Sequence, residues 1–227
     1  MCGRFTLRSD PETLTETFPG FTTPAADEMS PRYNITPSQR IAVVPNNGEN
    51  SVEFFQWGLI PSWAKDPKIG NRMINARAET LSEKPSFRTP YKRRRCLILS
   101  DGYYEWRSEP DSKTKTPFYI RLKSEKHFAF AGLWEAWHPN IDDDPLLSCT
   151  IITTSPNALM ETIHRRMPVI LEPDAYDLWL DPSDQSPKQL DGLLKPYPDE
   201  EMMAYPVSRF VNRPSNDSPN CIAPAEG

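Results

Sequence analysis

The sequence is poor in glycine and histidine, with nine and three among 227 residues. It has no apolar run near the roughly 18 residues of a membrane span, and no hydrophobic leader segment follows Met1. That predicts a soluble, intracellular chain with no membrane partner. None of the three histidines, His127, His138 and His164, stands in an HExxH or comparable spacing, and the four cysteines form no CxxC pair. A metalloenzyme and a structural zinc module are both disfavoured. The net charge of −5 argues against generalised nucleic-acid binding and leaves room only for a local basic surface.

Proline is abundant instead, at 25 residues, about twice its usual share. That disfavours a helical bundle and favours strands joined by stiff loops. Strands are predicted over 41–45, 52–60, 95–106, 117–122, 127–137 and 147–155, with NNGEN as a hairpin turn between the first two. Helices are predicted to be short. One follows Asp10-Pro11, where an N-cap precedes a proline at the first helical position, and others cover 156–163, 173–180 and 186–195. Residues 20–37 read as a surface loop. Strands in close succession with few helices indicate an α+β fold with a mostly antiparallel, barrel-like sheet. The chain is expected to be one domain, 1–227, with its core in 2–212 and a loosely ordered tail over 213–227.

Several residues could carry chemistry. Cys2 stands directly behind the initiator. Removal of Met1, which a methionine aminopeptidase performs when the next residue is small, would leave a free α-amine and a thiol on one residue. His164 begins HRRMP after a short helix. It reads either as a dipole-offsetting C-terminus or as an acid/base group beside phosphate-binding arginines. Glu105 ends an apolar strand among aromatics, a setting that raises a carboxyl pKa and suits proton transfer; an outward-facing carboxylate fits equally well. Asn75, Arg77 and Glu79 alternate and would share one face of an extended backbone. The run KRRR (92–95) reads as a solvated stretch. Trp57, Trp63 and Trp106 interleave with arginines, a weak sign of single-strand binding by stacking and phosphate pairing.

Taken together, MCGRF, PRYNITPSQ (31–39), FFQWGLIPSW (54–63), INARAET (74–80), CLILSDGYYEW (96–106), IITTSPN (151–157), IHRRMPVIL (163–171) and PVSRFVN (206–212) resemble the SOS-response-associated peptidase (SRAP) family, whose members process abasic sites. The resemblance spans nearly the whole chain. It implies that the mature N-terminal Cys2 becomes covalently attached to an abasic site in single-stranded DNA as a thiazolidine, in a DNA damage response, with no cofactor or metal. Asn75 would hold the N-terminal residue or the sugar, Glu105 would shuttle protons, and His164 would assist at the opened sugar. Arg4, Arg77 and one of Arg165 or Arg166 would meet phosphates, and Trp63 and Trp106 would stack beside the lesion. The chain is expected to be a cytoplasmic monomer that joins the nucleoid when bound to DNA, with replication-fork proteins as further partners. A thiol peptidase using Cys2, as the family name suggests, and a noncovalent single-strand binder are the competing expectations.

Overall fold

The apolar runs become strands, and most of them lie inside the molecule on both faces. In a computed structural model, residues 2–25, 27–110, 114–140 and 143–225 are described. The strands are β1 (Arg4–Leu7), β2 (Arg32–Ile35), β3 (Arg40–Pro45), β4 (Glu53–Trp57), β5 (Asn75–Arg77), β6 (Arg95–Ser100), β7 (Gly102–Ser108), β8 (Lys115–Leu122), β9 (Phe128–Trp137), β10 (Leu146–Thr154), β11 (Met167–Pro168), β12 (Ile170–Leu171) and β13 (Met202–Pro206). The short helices are α1 (Pro11–Thr17), α2 (Arg88–Arg93), α3 (Ala158–Glu161), α4 (Tyr176–Leu180) and α5 (Pro187–Asp191). None of the described helices is long and apolar enough to cross a membrane. The architecture is α+β and a single domain, with a sheet core and few short helices, as the sequence predicts.

Two sheets make the core. One is antiparallel, in the order β13-β8-β7-β1-β2. The other runs β10-β4-β3-β6-β9, and β9 pairs back onto β10 from Leu146↔Trp137 to Ile151↔Gly132. That return closes the sheet into a barrel and removes its open edges. The closure includes a parallel pairing, because β10 runs beside β4 and then β5 in the same direction. Rings of Phe5, Trp57 and Phe130 meet edge-to-face where β1 packs on the barrel, with Phe5 centroids 5.2 Å from Trp57 and 5.9 Å from Phe130.

The run 95–106 is not one strand. It divides at Asp101 into β6, inside the barrel, and β7, inside the other sheet, so one chain segment joins the two layers. Gly102 permits the passage, since a Cβ there would come within 2.1 Å of the Tyr119 hydroxyl. The expected surface loop over 20–37 contains β2, which pairs with β1. Asp10 accepts a hydrogen bond from the Thr13 amide at 2.9 Å and starts α1 where predicted.

Polarity alone misjudges two segments. Arg95 of the KRRR run is fully buried and donates to the carbonyls of Trp179, Tyr91, Lys92 and Asp181. Arg94 pairs with Glu135 and Arg93 with Asp184, both at 2.8 Å, so this run is largely engaged in the protein's own structure. Beyond Asn212, where polar composition suggests a loose tail, Asp217 accepts from Arg32 Nε and from the Tyr33 and Asn34 amides, and Cys221 is fully buried.

Candidate active site

Four elements converge at the start of the chain. Cys2 precedes β1 and is fully buried. Asn75 opens β5, where pairing with Ile151 of β10 fixes its position, and its Nδ2 donates to the Cys2 carbonyl at 2.8 Å. Asn75 Oδ1 is also buried and has no hydrogen-bond partner among the described residues. Glu105 lies on β7 and is 3 % exposed. His164 follows α3, whose end is closed by the His164 amide donating to the Met160 carbonyl at 2.7 Å. Its Nδ1 lies 3.8 Å from Glu105 Oε1.

The ring of His164 is held by its own loop, with Nδ1 3.0 Å from the Arg166 carbonyl and 3.1 Å from the Arg166 amide. A ring protonated at Nδ1 donates to that carbonyl, and a ring protonated only at Nε2 accepts from that amide. Whichever tautomer is present, one of the two Arg166 backbone groups is a partner for Nδ1, so the loop fixes the ring's position. Burial pushes the Cys2 thiol far above its ordinary value, and the Glu105 carboxylate pushes it further. The thiol is held as S–H, not as thiolate.

A basic cleft of about 340 Å³ adjoins this group and is lined by Arg77, His164, Arg165 and Arg166. Arg77 and Arg165 are exposed. Arg166 is engaged internally, bridging both carboxylate oxygens of Glu79 at 2.5 and 2.9 Å and donating to the Thr153 carbonyl. Of the two arginines offered as phosphate contacts after His164, Arg165 has the freer side chain.

Arg4 and Trp106 come together across β1 and β7, and both have partners within the protein. Side chains alternate along a strand, so Trp106 faces away from Glu105. Its indole nitrogen donates to Asn212 Oδ1 at 2.9 Å, and the Arg4 guanidinium lies 5.7 Å from its ring. Arg4 donates to Asn34 Oδ1 and to the Val211 and Asn212 carbonyls, at 3.0, 2.7 and 3.2 Å. Both residues fasten the segment around Val211 to the sheet. Trp63 is different. It is 58 % exposed, in the segment that leaves the β10 edge after β4 and returns to it at β5. Gly58 and Gly70 close the base of that segment, since a Cβ on Gly58 would meet the Gly70 carbonyl oxygen at 2.7 Å and one on Gly70 would meet the Gly58 oxygen at 2.6 Å.

The expected alternation through Glu79 fails because β5 ends at Arg77 and Glu79 lies in the 3-10 turn Ala78–Thr80. Sequence reasoning also passed over Tyr103. It is buried two residues before Glu105 on the same face of β7, and burial, Cys2 and Glu105, in that order, push its hydroxyl far above its ordinary value. The i, i+2 spacing from Glu105 was the signal available.

A family model described as SOS response associated peptidase (SRAP) matches residues 1–214. The chain belongs to the SRAP family. This SRAP chain is 52% identical over 223 residues to the abasic site processing protein YoqW of Bacillus subtilis (strain 168), covering 98% of this chain and 99% of that one. It is 31% identical over 265 residues to the abasic site processing protein HMCES of Xenopus tropicalis, covering 98% of this chain and 78% of that one. An X-ray crystal structure of a protein from Bacteroides thetaiotaomicron matches the SRAP fold seen here with a TM-score of 0.88 at 30% identity, covering 99% of this chain and 100% of that one. Met1, whose removal was expected, lies outside the described residues.

Proposed function

We propose that this protein processes abasic sites in single-stranded DNA by forming a covalent thiazolidine through the α-amine and thiol of Cys2. The reading requires methionine aminopeptidase to remove Met1. The observation that carries it is the convergence on Cys2. Asn75 holds its carbonyl at 2.8 Å, and the Glu105–His164 pair, 3.8 Å apart, stands beside a cleft lined by arginines.

An abasic deoxyribose in its open form presents an aldehyde. The Cys2 amine, with a reference pKa of about 7.7–8.0, is partly neutral at cellular pH and adds to that carbon. The Glu105 carboxylate takes the proton that the Cys2 ammonium sheds on becoming the free amine and passes it to the carbinolamine oxygen; the C–O bond breaks, water leaves and an iminium forms. The Cys2 sulfur then bonds to the iminium carbon. The S–H proton passes to Glu105 and the C=N electron pair returns to nitrogen, which keeps the one proton it carried in the iminium, and a five-membered ring closes. Amine and thiol sit on neighbouring carbons of one residue, so the second step is intramolecular and gains the corresponding rate advantage. His164 hydrogen-bonds the opened sugar, and Arg77 and Arg165 meet the flanking phosphates. The adduct shields the lesion and places the protein at the nucleoid, where replication-fork proteins are its expected company.

The state of the thiol weighs against a peptidase. A cysteine nucleophile acts as thiolate and is activated by a neighbouring cation. Here burial and a carboxylate favour the protonated thiol, and the histidine faces Glu105.

The test incubates the mature protein with a single-stranded oligonucleotide bearing one abasic site and resolves the products on a denaturing gel. A heat-resistant adduct that Cys2→Ala abolishes supports the reading. Peptide turnover without an adduct supports a peptidase, and a complex that denaturant dissolves supports a noncovalent binder; either result overturns the proposal.

A further inference from the structure

We propose that Glu79 is a positioning residue that acts through Arg166 to hold the His164 ring over the reacting sugar. The inference rests on the abasic-site reading above. The Glu79 carboxylate takes both terminal nitrogens of Arg166, at 2.5 and 2.9 Å, in the two-pronged geometry that fixes a guanidinium plane. The same guanidinium donates to the Thr153 carbonyl at 2.5 Å, and Thr153 stands opposite Arg77 in the β10–β5 pairing. Arg166 is thus tied at its tip to two neighbouring elements, the β5 exit and β10.

The backbone of that same residue holds the histidine. The Arg166 carbonyl and amide both lie within hydrogen-bonding distance of His164 Nδ1, at 3.0 and 3.1 Å. The chain of contacts runs from Glu79 to the Arg166 side chain, then to the Arg166 backbone, then to the imidazole. Releasing Glu79 loosens the tip of Arg166 and, with it, the peptide that sets the ring. The pair has a second effect. It ties up one of three arginines lining the cleft, so the cleft presents Arg77 and Arg165 to a phosphate, while Arg166 serves geometry. The groups facing His164 are Glu105 from β7, Arg77 from β5 and Arg165 and Arg166 from its own loop.

This arrangement separates rate from affinity. If Arg166 chiefly bound phosphate, freeing it from Glu79 would tighten DNA binding and leave the reaction rate alone. A positioning clamp predicts the reverse: slower reaction with affinity kept.

The experiment compares wild type, Glu79→Ala, Glu79→Asp, Arg166→Ala and the double Glu79→Ala/Arg166→Ala as full-length mature proteins. Single-turnover adduct formation is measured at saturating concentrations of a single-stranded oligonucleotide with one abasic site. Affinity is measured with the same strand carrying a tetrahydrofuran abasic analogue, which has no aldehyde. Glu79→Ala is expected to slow the saturated rate about tenfold, in line with small misplacements of a catalytic group. Its half-saturating concentration should stay within about twofold of wild type. Glu79→Asp, which keeps the charge, should recover much of the rate, and the double variant should be no slower than the slower single, because both remove one interaction. A wild-type rate in Glu79→Ala, or a double variant whose loss is the product of the singles, overturns the proposal.

Imidazole proton resonances give a second readout that needs no reaction. With only three histidines in the chain, the signals of His164 should move in Glu79→Ala while those of His127 and His138 stay in place. Unmoved His164 signals overturn the clamp even if adducts form. Should the wild type form no Cys2-dependent adduct, the abasic-site reading falls, and the resonances still decide whether Glu79 positions the ring.

Discussion

Replacing Asn75 should separate positioning of Cys2 from support of the fold. Its Nδ2 donates to the Cys2 carbonyl at 2.8 Å, and Cys2 is fully buried, so Asn75→Ala strands a buried acceptor. Such a loss costs about 1–3 kcal/mol. Expressed wholly in the barrier to adduct formation, that corresponds to a rate about 5–150-fold lower. Asn75→Asp should be worse than Ala, because it turns a carboxylate oxygen toward a carbonyl oxygen where a donor belongs. The predicted order is Asn, then Ala, then Asp. The assay is single-turnover adduct formation under saturating abasic single strand, with thermal unfolding followed in parallel. Rates within about twofold of wild type for both variants, or an order in which Asp exceeds Ala, would refute the reasoning and leave the contact a purely structural one.

Other consequences can be checked independently. Trp63→Ala should leave stability within about 0.5 kcal/mol of wild type, the usual range for an exposed side chain. It should weaken binding to an abasic-analogue strand by about 1–3 kcal/mol, the worth of one stacked base, in filter-binding or anisotropy titrations. Trp106→Ala should instead lower the melting temperature, since its indole holds Asn212 and supports Arg4. Arg95→Ala leaves the carbonyls of Trp179, Tyr91, Lys92 and Asp181 without their donor. It should cost about 3–5 kcal/mol, a drop of roughly 10 °C by calorimetry. Finally, Cys2, Cys96 and Cys149 are buried, and burial raises all three thiols above their ordinary value. A raised folded pKa contributes stability that is intact below the unfolded value of about 8.5 and is lost as pH rises beyond it, at about 1.4 kcal/mol per group per pH unit. Denaturant midpoints should therefore hold from pH 7 to 8 and fall steeply by pH 9.5; a flat alkaline limb would contradict the assignment.

How much of this was legible depended on whether a residue's partners were close in sequence. Asp10-Pro11 announced α1 because an N-cap acts within three residues, and NNGEN announced the β3–β4 hairpin through its own backbone preferences. The long apolar runs announced the barrel strands. The division of 95–106 between two sheets was not legible, since it depends on Gly102 fitting beneath Tyr119 of another strand. Nor was the fate of the arginines. Arg4 also donates to the Val211 carbonyl, 207 positions away, a partner no local pattern announces. Arg166 likewise pairs with Glu79, 87 positions away. Cys2, Glu105 and His164 were visible as residue types suited to the chemistry, and Asn75 only through the family resemblance. Their convergence comes from the β5–β10 pairing and the α3 exit, which no spacing along the chain encodes.

The most direct measurement is the intact mass of the product formed with an abasic single strand, before and after brief borohydride treatment. The account predicts a chain beginning at Cys2, joined to the strand with loss of one water, and unchanged by borohydride because the closed ring has no C=N bond to reduce. A product that retains Met1, or one that gains hydrogen under borohydride as an open imine would, contradicts it.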